Sequence, residues 1–131
     1  MNKIRSAFVL LLLLPYFSAC VPSNPLSNED MILKAMGEGL LGPAIKQLPT
    51  KDRKLALESE YTALENTLVG KSVNWRTATG EASGTVTAGQ PYKVGSQDCR
   101  QYSHAFTING VPQSIHGSAC RNEDGTWSPL T

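Results

Sequence analysis

Residues 99–120 read CRQYSHAFTINGVPQSIHGSAC. Asn109-Gly110 sits between two β-prone runs with an apolar residue on each side. This dipeptide favours a two-residue type I′ hairpin turn, in which both turn residues take positive φ. Ile108 then faces Val111, and nine steps back along each strand bring Cys99 opposite Cys120. Pair types alternate away from the hydrogen-bonded pair at the turn, so Cys99 and Cys120 form a non-hydrogen-bonded pair, where side chains come closest. That geometry suits a cross-strand disulfide, which needs Cα atoms ~4.4–6.8 Å apart. The same phase puts Pro112 at a non-hydrogen-bonded position, where its missing N–H costs least on a sheet edge.

The register also separates the two faces of the hairpin. Tyr102, Phe106 and Ile108 share a face with Val111, Ile115 and Ala119, which is the expected core side. Tyr102 falls opposite Gly117, where a ring can cover bare backbone. Gln101, Ser103, Thr107, Ser114, His116 and Ser118 make the other, wetter face. A disulfide here closes a loop of about twenty residues and stabilises by roughly 3 kcal/mol on the chain-entropy model.

Upstream and downstream of the hairpin the β character continues. SVNWR (72–76), GTVTA (84–88), PYKV (91–94) and TWSPL (126–130) read as strands, with turns at Thr79-Gly80 and Asp124-Gly125. Before them the pattern is helical. A helix of residues 51–69 starts after Pro49 with Thr50 as its cap and stops at Gly70. Leu57, Tyr61, Leu64 and Leu68 form its apolar stripe, with Glu58, Glu60 and Glu65 off it. A weaker helix runs from Glu29 to about Leu41, capped by Ser27 or Asn28, weakened by Gly37 and Gly39 and interrupted by Pro43. Helices followed by a run of strands argue an α+β, mainly β domain. A small antiparallel sheet or partly closed barrel of about five or six strands is expected, preceded by an amphipathic helix.

The first nineteen residues are a targeting segment rather than part of the fold. Lys3 and Arg5 precede the apolar run Ala7–Leu14, which is too short to span a bilayer. Phe17-Ser18-Ala19-Cys20 then resembles a lipobox, with Phe17 where leucine is usual. Cleavage before Cys20 would leave lipid on that cysteine. The chain carries twelve basic and eleven acidic residues. Removing Lys3 and Arg5 leaves ten basic residues and a charge near −1, without the basic stripe that nucleic acid requires. Three cysteines divide naturally into one for lipid and a pair for an oxidising compartment. Residues 1–19 therefore read as signal peptide, 20–49 as a lipidated tether with a short weak helix, and 50–131 as the domain, with strands over 71–131.

Catalytic signals are weak. Cys99 with His104 or His116 could be drawn as nucleophile and base, but Cys99 has a better partner in Cys120. His104 also points to the opposite face. Two histidines on opposite faces, without clustered carboxylates, do not make a metal site. No phosphate loop or serine elbow is present, and no cofactor is implied. Trp75, Tyr92 and Trp127 are the candidate binding surface, although aromatics more often complete a small core. Arg100 and Arg121 follow the two cysteines and are expected to pair with acidic neighbours.

Many spaced positions together resemble a family. They are Arg53-Lys54-Leu55-Ala56, Ala63-Leu64-Glu65, Trp75-Arg76, Thr79-Gly80, Gly84-Thr85-Val86-Thr87, Tyr92 and Gly95. They continue with Cys99-Arg100-Gln101-Tyr102, Ile108-Asn109-Gly110, Gln113, Gly117-Ser118-Ala119-Cys120-Arg121 and Asp124-Gly125-Thr126-Trp127. Over about residues 50–131 the chain is similar to the C-terminal domain of the rickettsial 17-kilodalton surface antigen family of outer-membrane lipoproteins. Members usually carry a long glycine-zipper segment before the domain. Here Met36–Ile45, MGEGLLGPAI, resembles a shortened remnant, too short and polar to span a bilayer. The resemblance implies an outer-membrane surface or periplasmic lipoprotein and no catalytic residues.

The reading that results is a non-enzymatic lipoprotein of the bacterial outer membrane, anchored to the membrane through Cys20. The alternative is a periplasmic binding or inhibitor module whose partner is an envelope protease, peptidoglycan or another envelope protein.

Overall fold

The computed structural model describes residues 27–130. The signal segment and Cys20 lie outside the described residues. Helix α1 spans Asn28–Met36, a 3₁₀ helix spans Gly42–Gln47, and helix α2 spans Thr50–Asn66. Six strands follow: β1 (Ser72–Arg76), β2 (Ala82–Ala88), β3 (Tyr92–Val94), β4 (Gln97–Ile108), β5 (Val111–Arg121) and β6 (Trp127–Pro129). All pair antiparallel in the order β1-β2-β4-β5-β6, with β3 beside β4. The sheet is open rather than barrel-like, and the fold is α+β and mainly β.

The β4–β5 hairpin has the register set by its turn. Asn109 and Gly110 take φ of 51° and 78°, and Ile108 pairs with Val111, Tyr102 with Gly117 and Cys99 with Cys120. Thr107 pairs with Pro112, and β6 reaches only Ala119–Arg121. Pro112 therefore lies on a free stretch of β5, where no neighbour needs its N–H. Along β4, Tyr102, His104, Phe106 and Ile108 are buried while Gln101, Ser103 and Ala105 are exposed. Val111 shares the inner face but is 56% exposed. The helical layer meets β5 at Gln113, whose amide exchanges hydrogen bonds with Gln47 at 2.9 and 3.1 Å, and Val111 lies beyond it at the hairpin tip.

β2 and β3 lie end to end along β4. Ala82–Ala88 pair with Tyr102–Ile108, and Tyr92–Val94 pair with Gln97–Cys99. Between them Gly89 donates its N–H to the Gln101 carbonyl at 2.7 Å. Pro91, which has no N–H to offer the ladder, follows in the break.

Helix α1 ends at Met36, short of the expected Leu41, because Gly37 takes a positive φ there. Ser27 caps it by accepting the Asp30 N–H at 3.1 Å. Sequence reasoning places residues 20–49 in a tether. Residues 28–48 instead pack with the sheet. Leu33, Met36, Leu40, Leu41, Ile45 and Leu48 are buried in one core cluster with Ala56, Trp75, Tyr102 and Phe106. An apolar segment of this size is held by burial, at roughly 25 cal/mol per Å² removed from water.

Helix α2 also departs from its expected stripe. It ends at Asn66, and Leu68, the expected last stripe position, is 76% exposed. The buried face is Ala56, Leu57, Ser59, Glu60, Ala63 and Leu64. Ala56 and Ala63, each fully buried, let the helix approach the sheet closely, and the face centres on Glu60 rather than Tyr61. Thr50 is the first helical residue rather than a capping side chain.

Candidate functional site

The helix and sheet meet around a chain of polar groups. Trp75 on β1, His104 on β4 and Glu60 on α2 are 5%, 0% and 0% exposed. The Trp75 indole donates to His104 Nε2 at 2.7 Å. An indole N–H can only donate, so Nε2 must accept, which leaves Nδ1 carrying the proton of a neutral ring. Nδ1 donates to Glu60 Oε1 at 3.0 Å. Glu60 further accepts the N–H of Leu40 at 2.9 Å and of Leu41 at 3.1 Å. The carboxylate thus ties the turn after α1 to α2 and to the sheet. No buried side-chain polar atom among the described residues lacks a partner.

Two glycines make room for this chain. The Trp75 indole lies over Gly84, where a Cβ would come 2.6 Å from Cε2 of the ring. A Cβ at Gly39 would collide with the Glu60 carboxylate.

A second cluster closes the C-terminal end of α2. Arg100 is 4% exposed. Its Nη1 donates to the carbonyls of Ala63, Leu64 and Thr67 at 2.8–3.1 Å, and its Nε to Gly89 at 2.9 Å. These are the helix-end carbonyls that lack partners of their own, at the negative end of the helix dipole. Arg100 therefore caps α2 rather than pairing with an acidic neighbour. Burial pulls its pKa below the usual guanidinium value. Arg121 does pair: its Nε bonds both oxygens of Glu65, at 2.9 and 3.2 Å. The Trp127 indole donates to the same carboxylate at 2.8 Å. Burial pushes the Glu65 carboxyl up, but the hydrogen bonds from Arg121 and Trp127 outweigh it and hold its pKa below the usual value. Burial, with the Glu60 charge nearby, raises the Tyr102 phenol.

The structure separates the residues singled out by sequence. Cys20 lies outside the described residues. Cys99 and Cys120 are joined by a disulfide as the register predicts, with Cα atoms 4.0 Å apart, a little closer than the expected range, and they are 0% and 4% exposed. Trp75 and Trp127 are buried in the core, while Tyr92 is 37% exposed on β3. The three aromatics do not form one surface, because the Trp75 indole turns inward to buried His104 and the Trp127 indole to half-buried Glu65. His116 is exposed on the outer face and His104 is buried on the inner one. No group of three metal-ligating side chains occurs among the described residues.

Sequence reasoning missed Glu60, Arg100 and the role of His104. The available signal was parity: Arg100 and His104 alternate with Tyr102 and Phe106 on the core face of β4. For Glu60 the signal was position, between Leu57 and Leu64 on the inward face of α2.

Residues 62–128 match the family model described as 17 kDa outer membrane surface antigen. The 17 kDa surface antigen of Rickettsia bellii is 41% identical over 78 residues, covering 59% of this chain and 49% of that protein. Those of Rickettsia felis and Rickettsia prowazekii are 40% and 35% identical over the same coverage. The chain thus spans about half the length of the curated relatives it matches. No solved structure matches it.

Proposed function

This chain belongs to the 17 kDa outer membrane surface antigen family, and on that premise we propose that it is a non-enzymatic lipoprotein held at the outer membrane by acyl chains on Cys20. The reading rests on the spacing between lipid site and fold. The lipobox cysteine is residue 20, and the described fold starts with the Ser27 cap and α1 at Asn28. The seven residues between, Val21–Ser27, reach at most ~25 Å when fully extended. The domain would then sit against the bilayer rather than range away from it.

Stable attachment needs two or more acyl chains, since one binds only marginally. Among the described residues no helix is long and apolar enough to cross a membrane. Val21, where an aspartate would favour inner-membrane retention in many bacteria, is consistent with export outward. A structural or interaction role is supported by the state of the reactive groups. Cys99 is bonded to Cys120, and both ring nitrogens of His104 are engaged inside the core.

Membrane fractionation of wild type and Cys20→Ser tests the anchor. Wild type should sediment with outer membranes and the variant should be released. Equal solubility of the two ends the proposal. Intact mass of the mature chain should show cleavage before Cys20 and added acyl mass.

A further inference from the structure

A cleft of about 610 Å³ opens beside the C-terminal end of α2, lined by Leu68, Val69, Pro91, Arg100, Arg121 and Trp127 among others. Its mouth is apolar and open to solvent: Leu68 is 76% and Val69 49% exposed. Large aliphatic side chains displayed together beside a cleft are a sign of binding.

The wall carries two arginines, Arg100 and Arg121, and two carboxylates, Glu65 and Asp98, but both carboxylates are already engaged. Glu65 is committed to Arg121 at 2.9 Å, and Asp98 to Lys93 at 2.6 Å. Arg100 has no carboxylate within ion-pair distance among the described residues. Its four hydrogen bonds all go to neutral carbonyls through Nη1 and Nε, and none within the described residues uses Nη2. The helix dipole offsets about half a charge. Buried charges are ordinarily paired, and here a nearly buried cation lines a cleft whose mouth is flanked by Leu68, Val69 and Pro91.

We propose that this cleft binds a singly anionic amphiphile, its carboxylate or phosphate against Arg100 and its hydrocarbon chain along Leu68, Val69 and Pro91. An anion completes the guanidinium with a charge-assisted bond, and the chain covers aliphatic surface now in water. The recognition needs both halves of the ligand, so a cationic or neutral amphiphile of equal length is discriminated against. Free fatty acid and the head group of an anionic membrane lipid share this chemistry.

Titration calorimetry on the mature chain, residues 20–131, carrying Cys20→Ser, which lacks both the apolar signal segment and the lipid anchor, tests the site. Laurate below its micellar concentration should bind one per chain, about tenfold tighter than monolaurin, and dodecyltrimethylammonium should not saturate. Shortening laurate by two methylenes should weaken binding on the order of tenfold. Leu68→Glu places a like charge at an exposed position and should abolish binding with an unchanged melting midpoint. Arg100→Gln should also abolish it, but removes the helix cap. In a second arm, co-sedimentation with phosphatidylcholine vesicles, with and without phosphatidylglycerol, identifies the source. Anionic-vesicle binding that Leu68→Glu removes, without laurate binding, assigns the anion to a lipid head group. Equal affinity for laurate and monolaurin, undiminished binding by Leu68→Glu, or no binding in either arm overturns the proposal.

Discussion

Trp75 and His104 meet edge to face, their rings 88° apart with centroids 5.9 Å apart, and a 2.7 Å hydrogen bond runs from indole to imidazole. The contact joins the first strand of the sheet to its central one and sets the tautomer that Glu60 reads. Several measurable consequences depend on it.

Gly84→Ala should displace the indole. The new Cβ would approach Trp75 Cε2 to 2.6 Å, and the ring cannot retreat without breaking its bond to His104. Overpacking of this kind costs about 1–3 kcal/mol. Urea denaturation should show the loss, and the indole N–H resonance of Trp75 should shift. A variant as stable as wild type would show that β1 yields instead.

Glu60→Gln keeps the shape but offers one acceptor oxygen where the carboxylate serves three N–H donors. At least one buried donor loses its partner, so destabilisation of about 3 kcal/mol is expected. Hydrogen exchange at the amides of Leu40 and Leu41 should accelerate more than at β4. Uniform acceleration would mean that Glu60 does not clamp that turn.

Cys99 and Cys120 are nearly inaccessible to solvent, so the folded protein should resist mild reductant and react only after denaturation. Replacing both with serine should lower stability by about 3 kcal/mol, from the entropy of a loop with a sequence separation of 21. Thiol titration with and without denaturant, beside unfolding curves, checks both points. A rapid thiol signal from the native protein contradicts the burial.

The Glu65–Arg121 pair sets an acid limb. The Glu65 pKa is lowered on folding, so its contribution is fully present above the ordinary glutamate value of about 4.3. It is lost as pH falls through the lower folded value, because the unfolded state then binds the proton first. Asp124, held down by hydrogen bonds from the Thr126 hydroxyl and amide, titrates in the same sense. Arg121→Gln should make the fall in melting midpoint below about pH 4.3 shallower without removing it. An unchanged acid limb would show that the pair adds nothing.

The hairpin illustrates how much was legible beforehand. Register follows from local chemistry, because a turn needing two positive-φ residues takes Asn109-Gly110 and no other nearby pair. With that point set, period two carries the pairing to Cys99 and Cys120, and alternation sorts Tyr102, Phe106 and Ile108 from Gln101 and Ser103. The unpaired stretch that Pro112 occupies follows from a backbone rule of the same kind, whereas the end of α1 at Gly37 came earlier than the Leu41 expected.

The buried polar side chains were not legible in this way. Glu60 reads as lying off the apolar stripe of its helix, Arg100 as a partner for an acidic neighbour and residues 20–49 as a tether with a short weak helix, since residue type alone argues for exposure. Their burial depends on partners 19 to 44 residues away in sequence: Leu40 and Leu41 amides for Glu60, helix-end carbonyls for Arg100, the imidazole of His104 for the carboxylate. Hydrogen bonds of that range exist only after α2 has docked on the sheet. Short-range preferences thus specified strands, turns and pairing, and parity could place Arg100 and His104 inward, whereas the partners of the inward polar network, and the packing of the segment it clamps, arose from long-range contacts that no local pattern names.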